Sequence, residues 1–434
     1  MNDKTKNIIK EKARYFGAYA VKIFKWIVMG IIVGLVVGGI SILFSTALKF
    51  VTGLREEHKW IVFGLPIGGL LIVGFYRLLK VNKDKGTNLV MDSITSNEDI
   101  PIKMAPLILF GTVTTHLFGG SAGREGAALQ LGGSLGNFIG KIFKFDSKDK
   151  KVMIMCGMSA AFSALFGTPM AAAIFAIESA TVGVMYFASL LPCIASALVA
   201  SHFSANMGIS PESFPLHDIP DMTVILSIKT VLLALLCGLL SIVFCYMMKY
   251  VKKLLESLFK NAYVRIAAAA FVFIGITLLV GDGRYYGAGI AVIDRAVIEG
   301  EAVWYDFIMK MFLTALTLGA GFKGGEIVPS FYVGATFGCV FGHLLGMSPT
   351  LCAAMGMTAM FCGITNCPIT AMLISFELFG FESVPYILIA SAVSFASSGY
   401  VGIYSSQKIV YSKYKPQIKR ESEKFGNDNE NKGE

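Results

Sequence analysis

Six ionisable side chains lie in or beside long apolar stretches of the chain, and they are the first candidates for chemistry. They are Arg124, Glu125, Glu178, Lys323, Glu326 and Glu377. A charged side chain is expensive to place against lipid, so such residues pair with one another or line the path of an ion or a proton. We therefore expect these residues to form either an ion or proton pathway or structural ion pairs inside the membrane.

Glu125 stands in the segment Gly123-Arg124-Glu125-Gly126, which opens an apolar helix. The first N–H groups of a helix have no partner within it, and the helix dipole adds partial positive charge there, so the segment is predicted to bind an anion. The carboxylate of Glu125 can occupy the anion's place, or swing out when it is protonated. We expect Glu125 to be a proton-sensitive gate. The alternative is that Glu125 only caps the helix and that Arg124 pairs with another acid in the membrane.

A second segment of the same kind, at residues 324–329, starts another helix later in the chain. Pro329 suits the first turn of a helix, where no N–H donor is needed. The backbone N–H groups near Ile327 and Val328 are then free to bind an anion. The sequence predicts that these two amides belong to the same anion site.

Glu326 lies in that second segment but cannot face the anion directly without repelling it. We expect it to form an ion pair with Lys323 or Arg124, or to lie on a proton route. Glu178 and Glu377 are candidates for the same two roles.

Two polar elements elsewhere offer further hydrogen-bond donors. Thr87 and Asn88 stand in a short polar break, where their side chains can donate to a dehydrated anion; the alternative is an ordinary loop or helix cap. Tyr404 follows the last apolar run and offers a phenolic donor, although an interfacial tyrosine has the same sequence context.

The chain also repeats itself. Gly-Met-Ser-Ala-Ala-Phe at 157–162 recurs as Gly-Met-Thr-Ala-Met-Phe at 356–361, and the same register aligns Pro169 with Pro368, each followed nine residues later by an acid. Paired apolar segments broken by Gly and Pro are typical of transporters whose site lies between two repeats. The alternative is chance similarity among small-residue helices. We predict repeats at 26–205 and 223–407, joined by a linker at 206–222.

The composition indicates a membrane protein. Of 434 residues, 55% are hydrophobic and 15% are charged, and the mean hydropathy is +0.65, which is too apolar for an ordinary soluble protein. A bilayer-crossing helix needs about 20 apolar residues. Uncharged runs of this kind occur at 26–48, 104–123, 152–177, 179–200, 230–248 and 383–407. A longer run at 327–376 contains prolines and many glycines, so it is expected to fold as several shorter helices.

Both ends of the chain, at 1–25 and 408–434, are rich in Lys and Arg. Basic flanking segments stay on the cytoplasmic side, so we predict a multi-pass protein of the cell membrane with both termini in the cytoplasm. The net charge of +9 is explained by this topology and by contact with anionic lipid, and it does not indicate nucleic-acid binding.

The sequence lacks the groupings that metal sites and hydrolytic enzymes need. The eight cysteines stand singly in apolar stretches and the five histidines are scattered, so neither a disulfide framework nor a zinc site is expected. No metalloprotease motif or nucleophile–base motif is present. We predict no metal, no cofactor and no enzymatic activity.

Taken together, these elements resemble the CLC family of chloride channels and transporters. The resemblance is carried by Gly-Arg-Glu-Gly at 123–126, Gly-x-x-x-Pro at 325–329, Gly-Thr-Asn-Leu-Val at 86–90 and the late Tyr404, and it extends over roughly residues 30–407. It implies an all-α polytopic membrane fold, built as an inverted repeat with tilted and re-entrant helices. It also implies a homodimer in which each subunit has its own anion pathway.

The resemblance implies roles for individual residues as well. Glu125 corresponds to the gating glutamate and Thr87 to the anion-coordinating serine. Ile327 and Val328 correspond to the pair that donates backbone amides, and Tyr404 to the coordinating tyrosine. Only a polar tail follows residue 407, so no cytoplasmic regulatory domain is expected there.

Three departures from the family pattern resemble one branch of it. Residues 87–88 are Thr-Asn where the family has Ser-Gly, residues 326–328 are Glu-Ile-Val where it has Ile-Phe-Ala, and Ser179 replaces the second of two internal glutamates. These replacements resemble the fluoride/proton antiporter branch.

Fluoride export agrees with the chemistry of the predicted site. Fluoride is small and strongly hydrated, so a site must replace its lost water with close N–H and O–H donors, which converging helix starts provide. We therefore expect an antiporter that exports fluoride in exchange for protons. The alternatives are a chloride/proton antiporter and a passive chloride channel of the same fold.

Overall fold

The protein is described by a computed structural model that covers residues 3–81, 85–96, 98–216, 219–281 and 283–414. Residues 1 and 2 of the predicted N-terminal segment, residues 217 and 218 of the predicted linker, and the predicted tail from residue 415 onward lie outside the described residues.

Eight helices make up the first half of the described chain. They are α1 (Asp3–Glu57), α2 (Leu65–Leu78), α3 (Thr87–Ser96), α4 (Met104–Leu117), α5 (Glu125–Ile142), α6 (Ser147–Phe166), α7 (Pro169–Glu178) and α8 (Leu190–Asn206). Short 3-10 helices at Lys59–Gly64 and Phe187–Ser189 precede α2 and α8.

Eight further helices follow in the second half. They are α9 (Val224–Leu258), α10 (Ala262–Val280), α11 (Ile290–Asp294), α12 (Asp306–Ala320), α13 (Ile327–Leu345), α14 (Pro349–Thr365), α15 (Pro368–Phe379) and α16 (Val384–Ser397). A single π-helical turn at Arg295–Glu299 extends α11. The prediction of an all-α membrane fold is confirmed, apart from one short strand pair between Thr181–Val182 (β1) and Lys408–Ile409 (β2).

The two halves are equivalent helix by helix and run in opposite directions. Contacts inside the first half, such as α5 with α6 and α1 with α8, recur in the second as α13 with α14 and α9 with α16. The equivalent helices α7 and α15 pack against each other so that the end of each meets the start of the other. The second half is therefore an inverted copy of the first, as the repeat predicted.

The long apolar run at 327–376 folds as three helices, as predicted. Pro349 and Pro368 occupy the first turns of α14 and α15, where the missing N–H has no cost. Gly346 and Asn366, both in the left-handed region, end the helices before them.

The prediction that each shorter run is one membrane span is wrong in several places. The run at 152–177 breaks after α6, because Gly167 takes a φ of +71° and Pro169 starts a new helix. The runs at 104–123 and 383–407 contain only the 14-residue helices α4 and α16, followed by irregular chain. The run at 179–200 begins with β1 and a 3-10 turn before α8 starts.

Repeated glycines allow the core helices to touch at their backbones. A Cβ atom built at Gly132 of α5 would overlap the carbonyl oxygen of Gly157 of α6. In the second half, a Cβ atom at Gly334 of α13 would overlap the carbonyl oxygen of Gly356 of α14 in the same way. Since lipid offers no hydrophobic drive between helices, such close backbone packing is what holds them together.

The buried and lipid-facing helices differ in where their apolar residues lie. Helices α5, α6, α13 and α14 are enclosed by the rest of the protein along most of their length. Helix α9 instead exposes Leu232, Leu235, Leu239 and Val243 along one face, as expected for a helix against lipid.

Gly132→Ala is expected to lower the free energy of unfolding by about 1–3 kcal/mol, because overpacking a tight helix contact forces the backbones apart. The measurement is the midpoint of thermal unfolding in detergent. Gly275→Ala in α10 is the matched control, because nothing lies within 4 Å of a Cβ atom built at Gly275. The control should keep or raise the midpoint, and equal midpoints for the two variants would contradict the packing of α5 on α6.

Candidate functional site

Two equivalent glycines join the halves of the protein at its centre. The N–H of Gly123 donates to the carbonyl oxygen of Gly325 at 2.8 Å, and the N–H of Gly325 donates to the carbonyl oxygen of Gly123 at 2.8 Å. Gly123 lies two residues before α5 and Gly325 two residues before α13. This pairing holds the starts of the two helices side by side, as the sequence predicted.

The carboxylate of Glu125 bridges the two helix starts. Its Oε1 accepts a hydrogen bond from the N–H of Arg124 at 2.9 Å, and its Oε2 accepts one from the N–H of Val328 at 3.2 Å. The side chain is fully buried. Since both donors belong to helix starts that carry partial positive charge, a negative group is already seated where an anion would bind.

Gly325 leaves room for this carboxylate. A Cβ atom built at Gly325 would lie 2.7 Å from Oε2 of Glu125, closer than ordinary atomic contact. At Gly126, a Cβ atom would lie 3.1 Å from Oγ1 of Thr87. We call the space between these N–H donors the seat. Glycine at positions 325 and 126 keeps the seat free of side-chain atoms that would block the donors.

Thr87 begins α3 beside the first helix start. Its buried hydroxyl lies 3.5 Å from the carbonyl oxygen of Gly126 and 3.5 Å from Nε2 of Gln130. Gln130 also donates from Nε2 to the carbonyl oxygen of Gly126 at 3.0 Å, and its buried Oε1 has no partner among the described residues. Our sequence analysis missed Gln130, although an uncharged amide in an apolar helix, one turn beyond Gly126, is a usable signal.

Tyr404 packs beside α7, where its ring centre lies 6.5 Å from that of Phe175. The residue is 5% exposed, and its hydroxyl has no partner in the part of the chain that the structure describes. Oδ1 of Asn88 accepts from the N–H of Ser406 at 3.0 Å, and donation from its Nδ2 to an anion stays a prediction. Gln407 donates to the carbonyl oxygens of Ser179 and Thr365 at 2.8 and 2.9 Å. Asn88 and Gln407 thus hold the segment that carries Tyr404.

The side chain of Arg124 turns away from the site. It forms an ion pair with Glu212 in the segment after α8, and Nη2 also donates to the carbonyl oxygen of Leu165 at 3.3 Å. Of the alternatives expected for Glu326, the ion pair with Arg124 is therefore not formed, because Arg124 pairs with another acid. Arg124 serves the site through its backbone N–H, because the helix start leaves that group without an internal partner.

Glu326 is the residue before α13, just as Arg124 is the residue before α5. Its side chain is partly exposed. Lys323, three residues earlier, places Nζ 4.4 Å from the centre of the Tyr76 ring, and its N–H donates to the hydroxyl of Thr115.

Glu178 and Glu377 cap each other's helices. Glu178, at the end of α7, accepts from the N–H groups of Ile369 and Thr370 at 3.1 and 2.8 Å and from the hydroxyl of Thr370. Glu377 accepts from the N–H groups of Met170 and Ala171, both at 2.9 Å, at the start of α7. Each carboxylate therefore satisfies the free donors of the opposite helix.

A metal centre is not built from these residues. Within the described ranges, no group of three or more His, Cys, Asp or Glu side chains is arranged to hold a metal ion. The chemistry of the site rests on backbone amides, hydroxyl groups and one carboxylate.

Comparisons with known proteins agree on one family. The family model described as voltage gated chloride channel matches residues 68–399. A chloride/fluoride channel protein of Pseudomonas syringae pv. tomato is 34% identical over 399 residues, which cover 90% of this chain and 88% of the relative. An H+/Cl− exchange transporter of Vibrio cholerae is 23% identical and is matched over 82% of each chain.

Solved structures give the same result for the fold. The crystal structure of a CLC-type fluoride/proton antiporter matches with a TM-score of 0.86 and 32% identity, covering 90% of this chain and 99% of that one. A slow cyanobacterial Cl−/H+ antiporter matches with a TM-score of 0.76 and 20% identity, covering 88% and 96% of the two chains.

Glu178→Ala and Glu377→Ala are each expected to lower the thermal unfolding midpoint, because a buried donor left without an acceptor costs about 1–3 kcal/mol. The midpoint is measured in detergent, and proton-coupled anion transport is measured in proteoliposomes at a temperature where each variant stays folded. Glu382→Ala, at an exposed acid, is the control for a lost surface charge. Unchanged midpoints together with lost proton coupling would show that these acids carry protons instead of capping helices.

Proposed function

The chain belongs to the CLC family of voltage-gated chloride channels, and from that premise we propose that it exports fluoride across the cell membrane in exchange for protons. The observation that carries the proposal is the seat of the Glu125 carboxylate between the N–H groups of Arg124 and Val328. A carboxylate and a small anion compete for these donors, so only one of them occupies the seat at a time.

Protonation of Glu125 couples the two ions. The protonated side chain has no negative charge for the helix starts to attract, so it leaves the seat and an anion takes its place. When the anion leaves, the side chain releases its proton and returns to the seat as a carboxylate. One residue therefore exchanges a proton for an anion, and proton entry down its gradient drives the anion out.

The donors around the seat suit fluoride. The amides of Ile327 and Val328 and the hydroxyl groups of Thr87 and Tyr404 are small, close donors that replace water around a strongly hydrated ion. Two relatives support fluoride as the cargo, because the Pseudomonas protein is named a chloride/fluoride channel protein and the structure that matches at 32% identity is a fluoride/proton antiporter.

The remaining polar residues have separate tasks in this proposal. The backbones of Gly123 and Gly126 line the seat, and Asn88 positions the segment that carries Tyr404. Glu326 carries protons to and from the seat, because it is half-buried and stands two residues before Val328, whose N–H holds the Glu125 carboxylate. Glu178 and Glu377 act as helix caps, and Lys323 contributes positive charge beside Tyr76. The proposal contains no metal, cofactor or enzymatic step.

Cytoplasmic termini and a homodimer complete the proposal. Lys25 of α1 pairs with Asp149 at the start of α6 at 2.8 Å, and β2 pairs with β1 just after α7. Because α6 and α7 are consecutive helices, these contacts support one common side for both ends of the chain. The basic residues at that side favour the cytoplasm. As in its family, we propose two subunits with one anion pathway each.

A passive channel is the second candidate, because the relative at 34% identity is named a channel protein. In a channel, anions pass through the same seat and no protons are moved in exchange. Purified protein in liposomes distinguishes the two, since only an antiporter drives protons uphill when a fluoride gradient is imposed.

Glu125→Gln is expected to abolish fluoride-driven proton movement, reducing it to the rate of empty liposomes, because a neutral amide cannot exchange a proton with the anion. Fluoride and proton fluxes are followed together with a fluoride electrode and a pH-sensitive dye. Glu382→Gln is the control and should retain the coupled fluxes of the parent. Intact proton coupling in Glu125→Gln would overturn the assigned role.

Tyr404→Phe is expected to weaken fluoride binding without loss of fold, because the lost hydroxyl has no protein partner among the described residues. A hydrogen bond to a charged group contributes about 1.5–3 kcal/mol, so the half-saturating fluoride concentration should rise roughly ten- to a hundredfold. The thermal midpoint should stay near that of the parent. A half-saturating concentration equal to that of the parent would remove Tyr404 from the anion site.

A further inference from the structure

A cavity of about 890 Å³ opens at the face of the protein opposite the start of α1. It lies between the last turns of α1, the end of α10 and the segment that leads into α11. Its rim carries three exposed cations, Lys49, Lys59 and Arg295. Among the described lining residues, Glu56 is the one carboxylate. The cavity therefore concentrates anions.

The floor of the cavity is a small cleft between Arg55, His116 and Gly287. Nη1 of Arg55 donates to the carbonyl oxygen of His116 at 2.7 Å, which fixes the guanidinium beside the imidazole. A Cβ atom built at Gly287 would lie 3.3 Å from Nη1 of Arg55 and 3.6 Å from Cδ2 of His116. The missing side chain of Gly287 thus leaves the space that these groups surround.

Positive charge at this floor has little compensation from carboxylates. Arg55 is 7% exposed and Lys310, directly behind Gly287, is fully buried. Lys310 donates to the carbonyl oxygens of Gly287 and Tyr285 at 2.7 and 3.1 Å, and no carboxylate in the described part of the chain lies within ion-pair distance of it. Arg55 has only Glu56, at 3.9 Å, whose side chain is 70% exposed. Buried cations of this kind need a negative partner.

The other buried or half-buried cations near the cavity already have carboxylate partners. Arg124 pairs with Glu212, and Arg284 pairs with Asp306 at 3.2 Å. Arg55 and Lys310 are therefore the charges that an anion in the floor cleft would neutralise. Lys310 does not contact the cleft, because Gly287 lies between them. It acts on an anion there only through its electrostatic field.

His116 supplies a second, independent sign of a ligand. The residue is 5% exposed and lines the cavity. Its Nδ1 lies 3.0 Å from the carbonyl oxygen of Thr112, which assigns the ring proton to Nδ1. Its Nε2 is buried and has no partner among the described residues. A neutral Nε2 accepts a hydrogen bond, and no described residue donates one to it.

The floor cleft is connected to the seat of Glu125 through the backbone. The N–H of Ala122 donates to the carbonyl oxygen of Gly287 at 3.2 Å. Arg124 lines the cavity, while its N–H holds the Glu125 carboxylate. The cleft and the seat are therefore held by adjoining segments, one on each side of Ala122 and Arg124.

We propose that the cleft between the Arg55 guanidinium, Nε2 of His116 and Gly287 is an outer binding site, where the transported anion is held with part of its hydration shell. This inference rests on the proposed function, because it takes the anion to be the cargo released from the Glu125 seat. Arg55 contacts the anion, and His116 accepts from one of its waters. The site receives the anion before it is fully rehydrated, and it also captures anions from the outer solution.

The kinetic test uses inhibition of efflux by external fluoride. Proton-coupled fluoride efflux from proteoliposomes is measured for the parent and for Arg55→Gln, Arg55→Lys and Lys59→Gln while external fluoride is varied. In Arg55→Gln, the external concentration that halves efflux should rise roughly tenfold, because a charge-assisted contact is lost. Arg55→Lys should recover part of that loss, and Lys59→Gln, which removes a rim charge that attracts anions without contacting one, should raise this concentration far less than Arg55→Gln.

Two kinetic outcomes would overturn the outer site. Equal shifts in Arg55→Gln and Lys59→Gln would show a general effect of surface charge, and no shift in Arg55→Gln would show that the cleft does not bind the cargo. Thermal unfolding of each variant checks that the comparison concerns folded protein.

A direct measurement keeps the test decisive even if Arg55→Gln does not fold. Crystals of the intact parent are soaked in bromide, and anomalous diffraction is expected to show a peak between the Arg55 guanidinium and His116. No peak there would overturn the proposal. Failure of the proposed function is seen separately, as absent proton coupling in the parent or intact coupling in Glu125→Gln, whereas failure of the outer site alone leaves both of those results as expected.

Discussion

The mutual hydrogen bonds between Gly123 and Gly325 are the interaction on which the rest of the structure depends. They join equivalent points of two oppositely directed halves, so the starts of α5 and α13 meet at one place. Each start brings unpaired N–H groups and partial positive charge. Any larger residue at position 325 would collide with the Glu125 carboxylate, so the join and the anion seat depend on the same missing side chain.

A single carboxylate in this seat sets the balance between holding an anion and releasing it. Burial deprives the Glu125 carboxylate of water, and hydrogen bonds from two backbone amides offset this cost of desolvation. In the proposed exchange, an incoming anion must replace those same contacts before the carboxylate can leave. The hydroxyl of Tyr404 is buried and has no partner among the described residues, so it is available as the further donor that the proposed function assigns to it.

Sequence analysis could predict the helix starts of the site, which depend on nearby residues. It could not predict contacts between residues that are far apart in the sequence. Glu125, Ile327 and Val328 follow from glycine-rich helix starts in a shared register, which spacing alone reveals. The partner of Arg124 is Glu212, 88 residues away, and no periodicity indicates it. The interruption after Phe166 was missed because hydropathy does not register a left-handed Gly167. Arg55 and His116 come from separate helices that approach only in the folded protein, so neither position alone suggests a cleft.

Inversion of the repeat explains why one backbone arrangement serves two different ions. Gly123 is equivalent to Gly325, so Arg124 is equivalent to Glu326 and Glu125 to Ile327. Both helix starts therefore supply backbone N–H donors, but only position 125 carries a carboxylate. A second acid at position 327 would repel the first across the seat. Arg124 and Glu326 differ in charge, but Arg124 is paired with Glu212, so Arg55 and Lys310 on one side and Glu326 on the other are the charges with little compensation nearby. The proposed exchange assigns anions to the side of these cations and protons to the side of Glu326. On this proposal, the routes of the two ions differ through side chains and not through the symmetric backbone.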